Sequence, residues 1–281
     1  MQLLIWVTLI WSFSFSLIGE FLAGKVDPYL AVGSRMALAL LLFLPWLIRY
    51  KTPPGQALAL AGIGAVQLGL MYLFFYHSFL YLTVAEVLLF TILTPVYVVL
   101  FDRVLQRQAI SWRWLGPATL AVLGALVIRF TAPTTDFWLG LILVQAANLC
   151  FAFGQVAYRQ LNLGNSMQQQ QSFGWFFVGA SLVAALGAWL FADWQKMPQQ
   201  GSDWVILIWL GLVASGLGYW LWNAGARQVN AHQLAVMNNL LIPAGLLVNF
   251  VLWQHQVNWL TFSLGSLLIV LSLGWGKRLS N

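Results

Sequence analysis

The feature that most limits this chain is a succession of apolar runs, each long enough to cross a bilayer as a helix, separated by breaks of a few polar residues. A helix needs about 20 residues to traverse the hydrocarbon core. The runs predict helices at 2–24, 28–49, 57–81, 84–101, 112–130, 137–158, 171–191, 204–226, 231–253 and 259–275. Turn-forming breaks separate them, among them Lys25-Val26-Asp27-Pro28, Lys51-Thr52-Pro53-Pro54-Gly55, Thr131-Ala132-Pro133 and Lys196-Met197-Pro198. The run Gln168–Gln171 reads as a solvated loop entering helix seven. The apolar runs are continuous rather than alternating, and about twice the length of a barrel strand, so they are helices. Met1 to Gly24 has no basic leader and no small-residue cleavage site, and is expected to be the first span. A soluble reading fails on composition. With 61% apolar and 7% charged residues, the chain cannot cover a water-facing surface.

Lys and Arg set the expected orientation, because they concentrate on the cytoplasmic side. With the N-terminus inside, the inner loops and tail hold Arg49, Lys51, Arg103, Arg107, Arg113, Arg159, Arg227, Lys277 and Arg278, nine in all. The outer loops hold three, Lys25, Arg129 and Lys196. Both termini are therefore expected in the cytoplasm. The net charge of +6 is spread over these short loops, which is a topology signal and not a nucleic-acid surface.

The chain also repeats itself. A shift of 147 positions carries Gly64 onto Gly211, Gly69 onto Gly216, Leu70 onto Leu217, Tyr72 onto Tyr219, Val104-Leu105 onto Val251-Leu252 and Trp112 onto Trp259. Pro95 misses Pro243 by one position. The match covers three helices in each half. Extended to five plus five, it makes the chain an all-α integral membrane protein of ten transmembrane helices in two inverted repeats. The repeats, 1–130 and 131–281, share one membrane domain. Five spans reverse the direction of the chain, and inverted repeats commonly place a solute site near the midplane, where the halves meet.

This plan resembles the drug/metabolite transporter superfamily, and within it the EamA family. The resemblance covers essentially the whole chain. It is carried by Trp11-Ser12-Phe13-Ser14-Phe15, by Ser34-Arg35-Met36-Ala37-Leu38, by Phe74-Phe75-Tyr76-His77-Ser78 leading to Thr83-Val84-Ala85-Glu86, and by Leu93-Thr94-Pro95-Val96. At the inner end of helix four the family usually shows Gly-Glu, where this chain has Gln106-Arg107; the corresponding place in the second half has Gln254-His255. The resemblance implies export of amino acids or other small metabolites, and a cavity lined by helices three, four, eight and nine together with one and six.

Polar groups inside spans are the candidates for function, since lipid offers them no partner. Tyr72 and Tyr76 lie four residues apart on one face of helix three, with His77 beside them. The repeat sets Tyr219 and Asn223 at the mirrored places in helix eight. Trp11 and Phe15 in helix one, Tyr97 in helix four, Asn148 in helix six and Asn238 in helix nine complete the candidate solute contacts. Asn239 is a further amide within a span. Each of these could instead serve helix packing. Glu86 and Glu20 are candidates for proton coupling, or carboxylates that reach outer water. Arg35 is expected in a structural ion pair with one of them. Pro95 and Pro243 are candidate gating kinks or simply tolerated prolines. Cys150, the lone cysteine, reads as a small buried side chain.

No Walker loop, GxSxG, HExxH or Cys/His metal spacing is present, so no cofactor or metal is expected. The reading that results is a secondary transporter of the bacterial inner membrane. It exports a small metabolite, an amino acid or similar amphipathic solute, by alternating access. Its expected partners are that solute and the lipid bilayer, with the chain acting as a monomer. The alternatives are an integral membrane enzyme acting on a lipid or lipid-linked substrate, and a channel or scaffold. The repeat favours transport. The charge count makes a direct prediction: a reporter active only in the cytoplasm, fused after Asn281, is expected to be active, and periplasmic activity there would overturn both the topology and the inversion.

Overall fold

The computed structural model describes residues 1–109, 112–128, 137–254 and 258–278. The expected break at Thr131-Ala132-Pro133, Arg129, His255 and the C-terminal Asn281 lie outside the described residues. Among those described, every regular element is helical. The spans are α1 (Gln2–Leu22), α2 (Pro28–Arg49), α3 (Pro54–Ser78), α4 (Val84–Leu105), α5 (Trp112–Ile128), α6 (Phe137–Gln160), α7 (Ser166–Phe191), α8 (Gly201–Ala226), α9 (Ala231–Trp253) and α10 (Trp259–Arg278). Eight are long and apolar enough to cross a membrane, and α5 and α10 carry the shorter apolar stretches Leu115–Gly124 and Trp259–Ser272. The distribution of side chains is inverted relative to a protein in water. Trp6, Ile48, Leu58 and Trp189 are exposed, whereas Ser12, Arg35, Gln67, Gln155, Asn223 and Asn239 are fully enclosed.

Helix starts follow local chemistry. Asp27 caps α2, accepting bonds from the backbone N–H groups of Tyr29 and Leu30, with Pro28 at the first helical position. One expectation needs correction: Gln168–Gln171 is not a loop. Asn165 and Gln168 form a reciprocal capping box, and Ser166–Ser172 is the first helical stretch of α7. The polarity of the glutamines suggested a loop; the Asn-x-x-Gln start signal outweighs it.

The repeat is visible in the packing. Exchanging each helix with the one five later maps α1–α9 onto α6–α4, α1–α8 onto α6–α3 and α2–α8 onto α7–α3, while α2–α7, α4–α9 and α5–α10 map onto themselves. α3 and α8 also share an irregularity. Both widen into π-helical turns, at Ala65–Leu70 and Leu210–Leu217, and the 147-residue shift carries the first segment into the second. The repeated glycines explain the close crossings. A Cβ at Gly64 would overlap the backbone of Phe176 in α7, and one at Gly211 would press on Leu38 in α2. Gly69 and Gly216 likewise face Val183 in α7 and Leu42 in α2. Small residues let helices approach where hydrocarbon supplies no hydrophobic drive.

Pro95 and Pro243 have different effects. α4 tightens to a 3₁₀ turn at Thr91–Leu93 just before Pro95, whereas α9 runs unbroken through Pro243. The kinks are therefore not symmetric. The crossings yield a test. Gly64→Ala and Gly179→Ala, each meeting backbone of the facing helix, should lower the melting temperature of the purified protein, the overlap costing about 1–3 kcal/mol. Gly62→Ala meets open space and should leave it unchanged or raise it.

Candidate functional site

A cavity lies at the centre of the bundle, walled by α1, α3, α4, α6, α8 and α9. The wall is mirrored across the two halves. Tyr72 and Phe75 of α3 face it with their repeat partners Tyr219 and Trp222 of α8; Thr91 and Thr94 of α4 do so with Asn238 and Leu241 of α9. α1 adds Thr8, Trp11, Ser14 and Phe15, and α6 adds Ala147, Asn148 and Phe151. Among the described residues, no carboxylate and no cation stands in this lining.

An aromatic cluster forms one side. The Trp11 ring lies 4.9 Å from Trp222, 5.0 Å from Tyr219 and 5.6 Å from Phe151, between ring centroids. Each indole N–H is satisfied. Trp11 Nε1 donates to the carbonyl of Ala214, within the π segment of α8, at 2.8 Å. Trp222 Nε1 donates to Gln155 Oε1 at 3.0 Å, and Gln155 lies 3.4 Å from the Asn238 amide. These bonds fix the position of both indole rings in the wall.

The break in α4 forms the opposite side. Where the helix tightens ahead of Pro95, carbonyls lose their usual partners four residues on. Asn148 Nδ2 and Gln145 Nε2 donate to the Phe90 carbonyl at 2.8 and 2.9 Å, and Asn239 Nδ2 donates to that of Ile92 at 3.1 Å. The span amides are thus placed by backbone groups that the irregular helix exposes. About 70 Å³ of the cavity is free in this conformation. A site that wraps a metabolite takes roughly 300 Å³ or more, so the walls must part for one to enter.

Six of the expected contacts line the cavity: Trp11, Phe15, Tyr72, Asn148, Tyr219 and Asn238. Four do not. Tyr76 is one turn beyond Tyr72 and accepts a bond from Arg35 at 2.8 Å. Asn223, its mirror, accepts from Gln67 at 3.2 Å and donates to the Tyr219 carbonyl at 3.1 Å. The cavity face of α3 and α8 advances by three residues, not four, which puts Phe75 and Trp222 in their places. His77 faces the other way, its Nδ1 2.6 Å from the Leu73 carbonyl and its ring against Tyr29. Tyr97 donates to Gln145 Oε1 at 3.0 Å, behind the wall. Thr8, Ser14, Thr91 and Thr94 were not expected, and hydroxyls of this kind leave no mark in an apolar run.

The expected ion pair at Arg35 needs correction. Arg35 is fully enclosed and bonds to hydroxyls, not to a carboxylate. Glu20 is half-buried in the π turn that ends α1, outside the cavity wall. Glu86 closes a capping box at the start of α4. Its Oε2 accepts from the backbone N–H and the hydroxyl of Thr83, both at 2.8 Å, while Thr83 Oγ1 accepts from the Glu86 N–H at 3.3 Å. The repeat preserves this device, since Asn230 and Gln233 form the matching box at the start of α9. Burial of Glu86 thus has a structural cause that a neutral amide also serves. Glu86→Gln is expected to keep the melting temperature within about 0.5 kcal/mol equivalent of wild type, and Thr83→Val to lose about 1 kcal/mol, as read by thermal unfolding.

One end of the bundle is tied by charge. Arg159 of α6 pairs with Asp102 of α4 at 3.0 Å and donates to the Val229 carbonyl in the α8–α9 turn. Arg227 in that turn donates to the Leu161 carbonyl.

Comparison with known proteins agrees with this architecture. The EamA-like transporter family matches residues 1–130 and 138–275. The biotin transporter of Escherichia coli strain K12 is 48% identical over 282 residues, covering 99% of this chain and 93% of its own. The probable biotin transporter of Pseudomonas aeruginosa is 48% identical, covering 99% of this chain and 98% of its own. One crystal structure superposes with a TM-score of 0.79 over 99% of this chain and 97% of that one, at 18% identity, a likeness of fold. Ten helices in two inverted halves around a central cavity, and matches over nearly the whole length, place this chain in the EamA-like transporter family.

Proposed function

We propose that this transporter carries biotin through the central cavity. The observation that supports it is the lining: an aromatic cluster of Trp11, Phe151, Tyr219 and Trp222 together with amides at Asn148 and Asn238, and no carboxylate among the described residues. Biotin fuses a ureido ring, which both donates and accepts hydrogen bonds, to an apolar thiolane ring that carries an apolar chain. Asn side chains suit the first and flat aromatic walls the second. The names of the relatives point the same way.

An amino acid, expected from the family resemblance alone, is the second reading. Its ammonium group would have no anionic partner in this lining. The membrane-enzyme alternative falls with membership of a transporter family.

The rest of the proposal concerns organisation. The two halves, 1–130 and 131–281, rock about the cavity between them. Both termini lie in the cytoplasm, and the protein sits in the bacterial inner membrane. A single copy suffices, because all six walls come from one chain. Coupling does not pass through Glu86 or Glu20 at the cavity, since neither lines it. Labelled biotin in proteoliposomes checks this reading and reports the direction of transport. Saturable biotin movement is expected, uncompeted by amino acids and weakened about tenfold or more by Trp222→Ala, the loss of a central aromatic wall. Amino-acid movement without biotin movement would overturn it.

A further inference from the structure

Arg35 carries a charge that no carboxylate among the described residues is seen to pair with. Its guanidinium is fully enclosed, with Nε donating to Ser215 Oγ at 3.1 Å, Nη1 to Tyr76 Oη at 2.8 Å and Nη2 to Tyr72 Oη at 2.6 Å. Its central carbon stands 4.2 Å from the centre of the Tyr72 ring. These partners are neutral. Glu86 bonds to Thr83, and Asp27 to the backbone N–H groups of Tyr29, Leu30 and Asp193. A permanently charged arginine enclosed in a membrane bundle with only dipoles around it is an anion site waiting for its anion.

Tyr72 connects that charge to the cavity. Its hydroxyl is on Arg35, and the residue also lines the wall beside Tyr219, 5.8 Å away between ring centroids. The guanidinium thus lies one side chain behind the site. The cavity must widen to admit a solute, and Tyr72 is the wall residue whose hydroxyl covers Arg35.

We propose that Arg35 binds the carboxylate of the transported solute, and that the Tyr72 and Tyr76 hydroxyls hold its place when the site is empty. This rests on the reading of the cavity as the solute site. The guanidinium fork matches a carboxylate with two parallel hydrogen bonds. The solute class is an amphipathic monocarboxylate: an apolar body against Trp11, Phe151 and Trp222, and one anionic end drawn toward α2. Biotin, whose only charge ends an apolar chain, belongs to it.

The test compares biotin with biotinamide, in which the carboxylate is a neutral amide, by equilibrium binding to the purified full-length protein. Wild type is expected to prefer biotin by roughly tenfold or more. Arg35→Gln should weaken biotin by roughly 30-fold or more, the loss typical of removing one partner of a buried charge pair, and leave biotinamide unchanged. Arg35→Lys should recover part of the preference. Equal binding of the two by wild type, or equal weakening of both by Arg35→Gln, would overturn the proposal. If Arg35→Gln does not fold, Tyr72→Phe decides, since it keeps the charge and removes a competing hydroxyl. A raised preference for biotin supports the proposal, and an unchanged or lower one refutes it. Wild type that binds neither compound sinks the biotin reading. Octanoate and octanamide then test the carboxylate idea separately: preference for the acid, lost in Arg35→Gln, sustains it, and no binding of the acid ends it.

Discussion

Hydrocarbon gives a polar group no partner, so each donor and acceptor within the bundle must find one in the protein. In a regular helix the backbone meets that demand alone. Here α1, α3, α4 and α8 depart from regularity, and carbonyls in α4 and α8 are met by side chains. Trp11 answers Ala214, Asn148 and Gln145 answer Phe90, and Asn239 answers Ile92. Two of these partners, Trp11 and Asn148, and Thr91 of the tightened turn in α4 line the cavity. The same constraint therefore both holds the walls and brings polar groups to the centre of an apolar bundle.

Symmetry governs where those groups lie, and it is incomplete in an informative way. The wall pairs Tyr72 with Tyr219 and Phe75 with Trp222, and the capping boxes pair Thr83–Glu86 with Asn230–Gln233. The broken α4, however, faces an unbroken α9, and Thr91 and Thr94 face Asn238 and Leu241. Two halves with one repeated layout thus give the cavity two different sides, one hydroxyl-bearing beside a broken helix, the other an amide and a leucine on a continuous one.

Much of the fold was legible in the sequence because its signals are coarse. Apolar run length gives the spans, and spaced glycines with a tyrosine give the repeat, since helix crossings tolerate only small residues there. The site was half legible. Tyr72, Tyr219, Asn148 and Asn238 stand out as polar groups in spans. Phe75, Phe151 and Trp222 do not, because an aromatic residue in an apolar helix reads equally as lipid-facing. Tyr76 and Asn223 were placed in the wall by a four-residue step, when the face advances by three. Glu86 drew attention as a charge, although Thr83-Val84-Ala85-Glu86 also spells a helix start. Its role was present in the letters but competed with a more conspicuous one.

The setting of Arg35 has a consequence for biosynthesis. Its hydroxyl partners lie 37, 41 and 180 residues further along the chain. At synthesis rates of about 5–20 residues per second, Ser215 follows Arg35 after roughly ten to forty seconds. Helix two therefore enters the membrane carrying a cation whose full enclosure does not yet exist. During that interval the guanidinium keeps its water or reaches for the bilayer surface, and the arrival of α3, then of α8, draws it inward. Desolvation of one arginine thus waits on the eighth helix of ten, and a ligand that meets that arginine would act on the newborn protein as well as on the finished one.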